Sequence, residues 1–397
     1  MNAHVYPELQ KRQGEHAKWR QDIHRHPELG YEEHRTAKIV AEKLESFGVE
    51  VFTGYGTTGV VGKLSNGLGN RAIGLRADLD ALPMQEKNEF GHKSVNDGVF
   101  HGCGHDGHTV MLLGAAEFLA KSKSFDGTIY FIFQPAEEGL AGGAAMVKDG
   151  LFEDFDMESV YGLHNSPDMP VGNFAVCEGP MMAAADTFDI TITGKGGHAA
   201  MPHYSTDPVI AITALVQALQ TIVSRTVNPQ EPAVLSVTTI HAGDAYNVIP
   251  DDAKISGGVR TFNPKVAADI EQRMREITEQ VASAHGCTAK FTYAKNYPVV
   301  FNTSDETKLC ADVARSLAGE DNVKDDITPV MGSEDFSFML QERPGCYILM
   351  GAAGGLGNGG GGGCMVHNPG YDFNDEALPL GATYWSKLAE TLLPAPR

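Results

Sequence analysis

This sequence predicts an α/β fold: a mixed, mostly parallel sheet flanked by helices, with a second, ferredoxin-like α+β domain inserted into it. Three observations predict it. Short apolar runs alternate with helical periodicity through the first part of the chain, the pattern of a sheet whose crossovers are helices. Four of those runs end on side chains that carry chemistry. Between roughly residues 185 and 294 the order becomes a self-contained β-α-β-β-α-β, the split βαβ arrangement. With 397 residues, the chain exceeds the size at which a single hydrophobic core keeps growing. The expected domains are a discontinuous one over 1–184 and 295–397 and an inserted one over 185–294.

The core strands come first. Residues 72–77 run into Asp78 and Asp80, and 128–133 run through Gln134 and Pro135 into Glu137 and Glu138. Residues 160–163 run into His164, and 346–350 are followed by a glycine-rich segment, 351–363, that leads to His367. In open α/β sheets ligands bind outside the carboxyl ends of the strands, so four strand ends deliver these groups to one rim. Residues 108–120 are apolar almost throughout and read as a buried helix. Cys103 and His105 are expected just ahead of its first turn, where the helix N-terminus and a cation would lower the thiol pKa. The segment 351–363 lacks the Gly-Lys-Ser/Thr that closes a phosphate loop. It reads as a flexible connection, or as a loop that orders over substrate.

In the inserted domain, 187–193 alternates as a half-buried strand, and a helix over 207–225 opens with Asp207 as N-cap and Pro208 at its first position. Strands follow at 233–240 and 253–261, then an amphipathic helix at 264–284 and a strand at 288–295.

The run Cys103-Gly104-His105-Asp106-Gly107-His108 and the pair Glu137-Glu138 supply thiolate, imidazole and carboxylate, the ligand types of zinc and similar divalent ions. A second carboxylate beside a ligating one provides the general base of metal-assisted hydrolysis. A formal net charge of -20 argues against nucleic acid and anionic membranes as partners, since both require clustered Lys and Arg. Six scattered cysteines without a Cys-x-x-Cys pair do not form a disulfide framework. The polar N-terminus lacks the apolar core of a signal peptide, so a cytoplasmic location is expected.

The runs His24-Arg25-His26-Pro27-Glu28-Leu29, 74–83, 103–108, Gln134-Pro135-Ala136-Glu137-Glu138-Gly139, 194–200 and Gly332-Ser333-Glu334-Asp335-Phe336 resemble the M20 metallopeptidase superfamily. Within it they are similar to the amidohydrolase branch of hippurate hydrolases, N-acyl amino acid amidohydrolases and auxin-conjugate hydrolases. The resemblance implies a two-metal catalytic domain and an inserted lid that also dimerises, giving a homodimer or a tetramer. It implies Cys103, His105, Glu138, His164 and His367 as metal ligands and Glu137 as the catalytic carboxylate. His198 would stabilise the oxyanion in the partner subunit's site, with Asn247 and Arg260 contacting substrate and Asp78 orienting a ligating imidazole. The wider superfamily has a His-x-Asp pattern where this chain has Arg76-Ala77-Asp78, and Cys103 is expected to take over the missing coordination position. His24 and His26 read as capping or packing residues. The implied cofactors are two divalent ions per subunit, zinc or manganese, with cobalt or nickel as alternatives. The implied substrate is a small N-acyl amino acid of acetyl, benzoyl or indole-acetyl type. An aminopeptidase or dipeptidase, a carbamoyl-amino acid hydrolase and a noncatalytic metal-binding scaffold are the alternatives.

Overall fold

The structure is a computed structural model that describes residues 3–354 and 364–396. Most of the glycine-rich segment expected to connect or gate the site, residues 355–363, lies outside them. The chain divides into two compact units. One comprises Met1–Met181, Val300–Thr328 and Asp335–Arg397; the other comprises Met182–Val299 and Pro329–Glu334.

The first unit opens with helices α1 (Pro7–Arg25) and α2 (His34–Ser46), followed by β1 (Glu50–Tyr55), β2 (Gly59–Asn66) and β3 (Ala72–Asp78). Helix α3 (His105–Ser122), β4 (Gly127–Gln134) and three short helices, α4 (Glu137–Leu140), α5 (Gly142–Lys148) and α6 (Leu151–Asp154), lead to β5 (Ser159–Ser166), β6 (Phe174–Ala175) and β7 (Gly179–Met182). After the second unit the chain returns through β14 (Val300–Asn302), α9 (Ser304–Ala318), β15 (Val323–Lys324), α10 (Ser337–Glu342), β16 (Gly345–Gly351) and α11 (Leu378–Leu392).

Eight strands form the main sheet in the order β1-β2-β4-β3-β5-β16-β6-β15. Its centre, β4-β3-β5-β16, is parallel, while β1 and β2 add an antiparallel edge. Every residue of β3 is buried, which is why it reads as a continuous apolar run rather than an alternating one. The parallel register pairs Asp78 with Gln134 and Arg76 with Gly162. The carboxyl ends of β3, β4 and β5 therefore lie level, with Asp78, Gln134 and His164 side by side.

Helix α3 begins at His105, three residues before the start expected from periodicity. Gly104 makes the difference: its φ of 95° turns the chain directly into the helix, and a Cβ there would strike Asn165 Oδ1 and Tyr371 Oη. Only Cys103 therefore precedes the helix. On its far side α3 packs against α1 around Glu117, which accepts from Arg12 Nε at 3.2 Å and Lys121 Nζ at 2.6 Å, with His16 Nε2 at 3.4 Å. Burial alone would raise this carboxyl, but the His16 and Lys121 hydrogen bonds and the Arg12 charge hold it at about 2. A depressed folded-state pKa gives stability that is present above the unfolded value of 4.5 and lost as pH falls toward 2. Thermal unfolding of Glu117→Gln is expected to fall below the parent at pH 6, with the gap closing as pH is lowered through this window. A gap that persists unchanged at pH 2 would contradict the assignment.

The second unit contains β8 (Ala184–Thr193), β9 (Gly197–His198), α7 (Pro208–Thr221), β10 (Ala233–Ala242), β11 (Val248–Ile249), β12 (Asp252–Thr261), α8 (Pro264–Ala284) and β13 (Thr288–Tyr297). Its four long strands form an antiparallel sheet ordered β10-β12-β8-β13, the strand order of a ferredoxin-like fold. Asp207 caps α7 by accepting from Val209 N at 2.8 Å, ahead of Pro208. The helix gives way to a π turn at Ile222–Thr226. Ile212, Leu215, Leu219 and Ile222 pack with Phe188, Ile190, Ile255 and Ile270 into the core of this unit.

Candidate metal centre

Beyond the level ends of β3, β4 and β5, the first unit builds its site on a buried polar floor. The Arg76 guanidinium donates to Gln134 Oε1 at 2.9 Å, Asp78 Oδ2 at 2.7 Å and Asp335 Oδ1 at 3.1 Å. Asp335 also accepts from Gln134 Nε2 and from Gly143 N, each at 2.7 Å. A buried guanidinium is tolerated when such partners use its donors.

Two further segments complete the site. Cys103 lies just ahead of α3, and its Sγ is 3.3 Å from His164 Nε2 at the end of β5. Glu137 and Glu138 sit in a turn flanked by Ala136 and Ala141, both with left-handed φ (54° and 57°), a conformation that costs a non-glycine residue energy and is kept where a side chain must be aimed. Ala136 N donates to the buried Glu33 at 2.8 Å, and Glu138 N donates to Asp80 Oδ2 at 2.9 Å. The His105 Nδ1 lies 3.2 Å from Asp80 Oδ1 and 2.9 Å from the Asp80 carbonyl. Asp80 thus holds both His105 and the Glu138 backbone, the orienting position that sequence reasoning gave to Asp78. Asp78 instead meets His108 Nδ1 at 2.6 Å, with His105 Nε2 3.7 Å away.

The ligand atoms of Cys103, His105 and His164 lie within 4.8 Å of one another, as do those of Cys103, Glu138 and His367 and those of His105, Glu137 and Glu138. Glu138 Oε1 is 3.3 Å from His367 Nε2 and 3.9 Å from His105 Nε2. The five expected ligands and Glu137 are therefore brought together. His105 Nε2 is buried and has no hydrogen-bond partner among the described residues.

The charges of the site reinforce this geometry. Hydrogen bonds to Cys103 and Glu138 push His367 up to about 10. Burial works against a charged His105, but Asp78 and Cys103 raise its pKa well above the usual range. Burial, with His108 next, takes His164 down to about 3, leaving a neutral imidazole of the kind that ligates metals. Burial and Glu138 raise the Cys103 thiol, the reverse of the depression expected from the helix terminus; a bound cation acts in the opposite sense. The donor set of one thiol, three imidazoles and two carboxylates fits a divalent ion.

His198, Asn247 and Arg260 belong to the second unit. His198 is exposed, pairs with Val248 and accepts from Ala200 N through Nδ1 at 3.1 Å. The Asn247 carbonyl accepts from Ala199 N at 3.0 Å, which places Asn247 beside His198. Arg260 is elsewhere in the unit: it pairs with Ala185 and Val234 near the far end of β12, eight residues beyond Asp252, or roughly 25 Å at the usual strand rise. Sequence reasoning missed Asp80 as the support of His105, Glu33 beneath the glutamate turn and Asp335 in the floor. The Asp78-x-Asp80 spacing and the Glu334-Asp335 motif were visible, but their partners were not.

The description peptidase family M20/M25/M40 matches residues 74–391. The chain belongs to this family. Among its M20 relatives, hippurate hydrolase from Campylobacter jejuni is 42% identical over 97% of this chain and 98% of its own length. An IAA-amino acid hydrolase, ILR1-like 2, from Arabidopsis thaliana is 39% identical over 94% and 84%. The crystal structure of the Bacillus subtilis YXEP protein, described as a dinuclear metal-binding M20 peptidase, matches with a TM-score of 0.83 at 32% identity, covering 97% of this chain and 99% of that one.

Proposed function

We propose that this M20 chain is a metal-dependent amidohydrolase that cleaves N-acyl amino acids of acetyl, benzoyl or indole-acetyl type to a carboxylic acid and an amino acid. The observation that carries this reading is the convergence of Cys103, His105, Glu138, His164 and His367 around Glu137, in a chain whose relatives include a hippurate hydrolase and an IAA-amino acid hydrolase. The five ligand residues would hold two divalent ions, zinc or manganese, with cobalt or nickel as alternatives, and elemental analysis decides the metal. Such ions supply Lewis acidity toward the amide carbonyl and acidify the attacking water. Glu137 takes the proton from that water and later delivers a proton to the leaving amine. Asp80 fixes the tautomer of His105 through Nδ1. His198 would stabilise the oxyanion in the partner copy's site, with Asn247 and Arg260 contacting the amide and the carboxylate of the substrate.

The second unit would also join two copies into a homodimer. Helix Pro208–Thr226 is apolar enough to cross a membrane by length and composition, yet only 28% of its most apolar 18 residues are buried within the chain. Ile210 on that helix and Val234 and Ile240 on the edge strand β10 are exposed, and a second copy of the same surface would cover them. Six free cysteines support a reducing, cytoplasmic setting.

The test is amino acid release from N-acetyl, N-benzoyl and indole-acetyl amino acids, carbamoyl amino acids and free dipeptides, using chelated enzyme with and without added zinc, manganese or cobalt. Metal-restored cleavage of acyl amino acids but not dipeptides is expected. Dipeptide cleavage alone moves the reading to peptidase, ammonia release to carbamoyl hydrolysis, and no turnover with any metal to a binding scaffold.

A further inference from the structure

Behind the metal centre lies a second buried polar cluster that the reaction does not use, and it absorbs the His24 motif at the N-terminus. Arg20, His24 and Asp106 are fully buried, with Glu86 and Asp372 nearly so. Arg20 Nη1 donates to Asp372 Oδ1 at 2.8 Å and to Asp106 Oδ2 at 3.4 Å, while its Nε donates to Asp375 Oδ1 at 2.7 Å. His24 stands between two carboxylates, with Nδ1 2.9 Å from Asp106 Oδ2 and Nε2 3.2 Å from Glu86 Oε1. His92 Nε2 lies 3.1 Å from Asp372 Oδ1.

Placement separates this cluster from ordinary core packing. Asp106 directly follows His105, and Asp372 follows His367 by five residues. One guanidinium therefore holds the segment that carries Cys103 and His105 together with the segment that carries His367. The same two segments meet again where His367 N donates to the Gly102 carbonyl at 2.7 Å. His367 itself has a left-handed φ of 61°, a backbone state that surrounding contacts must maintain. A buried ion network is a weak route to stability, because desolvation offsets most of its Coulombic gain. Its use here, where two ligand-bearing segments converge, suits geometric control of ligands.

We propose that Arg20, His24 and Asp372 form a buried brace that sets His367 against Cys103 and His105, and so determines how tightly the centre holds its cations. These are positioning residues, acting through the ligands rather than on substrate. The inference rests on the ligand set proposed above.

The experiment titrates Co²⁺ into chelator-stripped full-length protein carrying Arg20→Lys or Asp372→Asn, following visible absorption and competition with a chelator, with circular dichroism to establish folding. Both variants are expected to bind at least one Co²⁺ equivalent about 10–100-fold more weakly and to show an altered spectrum. Their kcat should fall at limiting metal and recover as metal is raised, with KM unchanged. If Arg20→Lys fails to fold, Asp372→Asn and His24→Gln decide by the same readouts. Folded variants with parental affinity and spectrum would overturn the brace. A parallel His367→Ala sample separates the two readings. Reduced Co²⁺ stoichiometry there with unaltered brace variants sinks the brace alone, whereas full stoichiometry in His367→Ala sinks the ligand set.

Discussion

Glu137→Gln is expected to lower kcat by about 10²–10⁴-fold, the usual contribution of a positioned general acid–base, while bound metal stays at the parental level. Glu137 is buried, and its carboxylate lies within 4.8 Å of the ligand atoms of His105 and Glu138. Glutamine keeps the shape and the hydrogen-bonding oxygen but cannot take the proton from the attacking water. Glu138→Gln is the contrasting case, since Glu138 lies against His367 and His105 and its loss should lower metal content as well as rate. Single-turnover rates paired with elemental analysis of the same samples separate the two. Near-parental activity of metal-replete Glu137→Gln would remove Glu137 from the mechanism.

Mixed dimers give the second large effect. His198→Ala alone is expected to lose about 10²–10³-fold in kcat, as for other oxyanion donors. Co-expressed with the inactive Glu137→Gln chain, it should recover about a quarter of parental activity, because half of randomly formed dimers would hold one complete site of two. The physical ground is the distance within the second unit. Arg260 pairs beside Ala185, where the chain has just entered the unit, whereas His198 pairs with Val248 in a separate two-stranded ribbon, β9–β11, that follows β8 and precedes β12 in the chain. Asp252, where β12 begins, lies roughly 25 Å along the strand from Arg260, and we propose that these two ends of the unit serve the sites of two different copies. If His198 acted within its own chain, the mixed dimer would contain no complete site and no activity would return.

The strand ends were legible in the sequence because parallel strands buried on both faces leave apolar runs that stop abruptly on functional side chains, as β3 does at Asp78 and β5 near His164. The inserted domain was legible for a different reason: its helices carry local start signals, and Asp207 and Asn263 both cap as such residues do. What remained hidden were pairings between residues far apart in the chain. Nothing in local spacing says that Asp80 rather than Asp78 receives His105, that Glu33 supports Ala136, or that His24 reaches Asp106. The start of α3 was misplaced because apolar periodicity marks only the apolar part of a helix, and the first turn here, His105 to His108, is buried but not apolar. Its first turn is made of polar groups, and the signal there was Gly104.

The main chain leaves the first unit at β7 and re-enters it at β14, and these two strands pair with each other. The ends of everything inserted between them are thereby clasped at the root. Closing a long excursion costs entropy that grows only with the logarithm of its length, and here a ribbon of the host domain performs the closure. The excursion behaves as a cassette. Its length can change at small entropic cost while the first unit keeps its register, provided that His198, Asn247 and Arg260 keep their places within it. The short return thread Pro329–Glu334 groups with the inserted unit, and within that unit its Val330 bridges Met182. Changes of substrate range in such a chain have an accessible evolutionary route, replacement of the cassette with that thread matched to it.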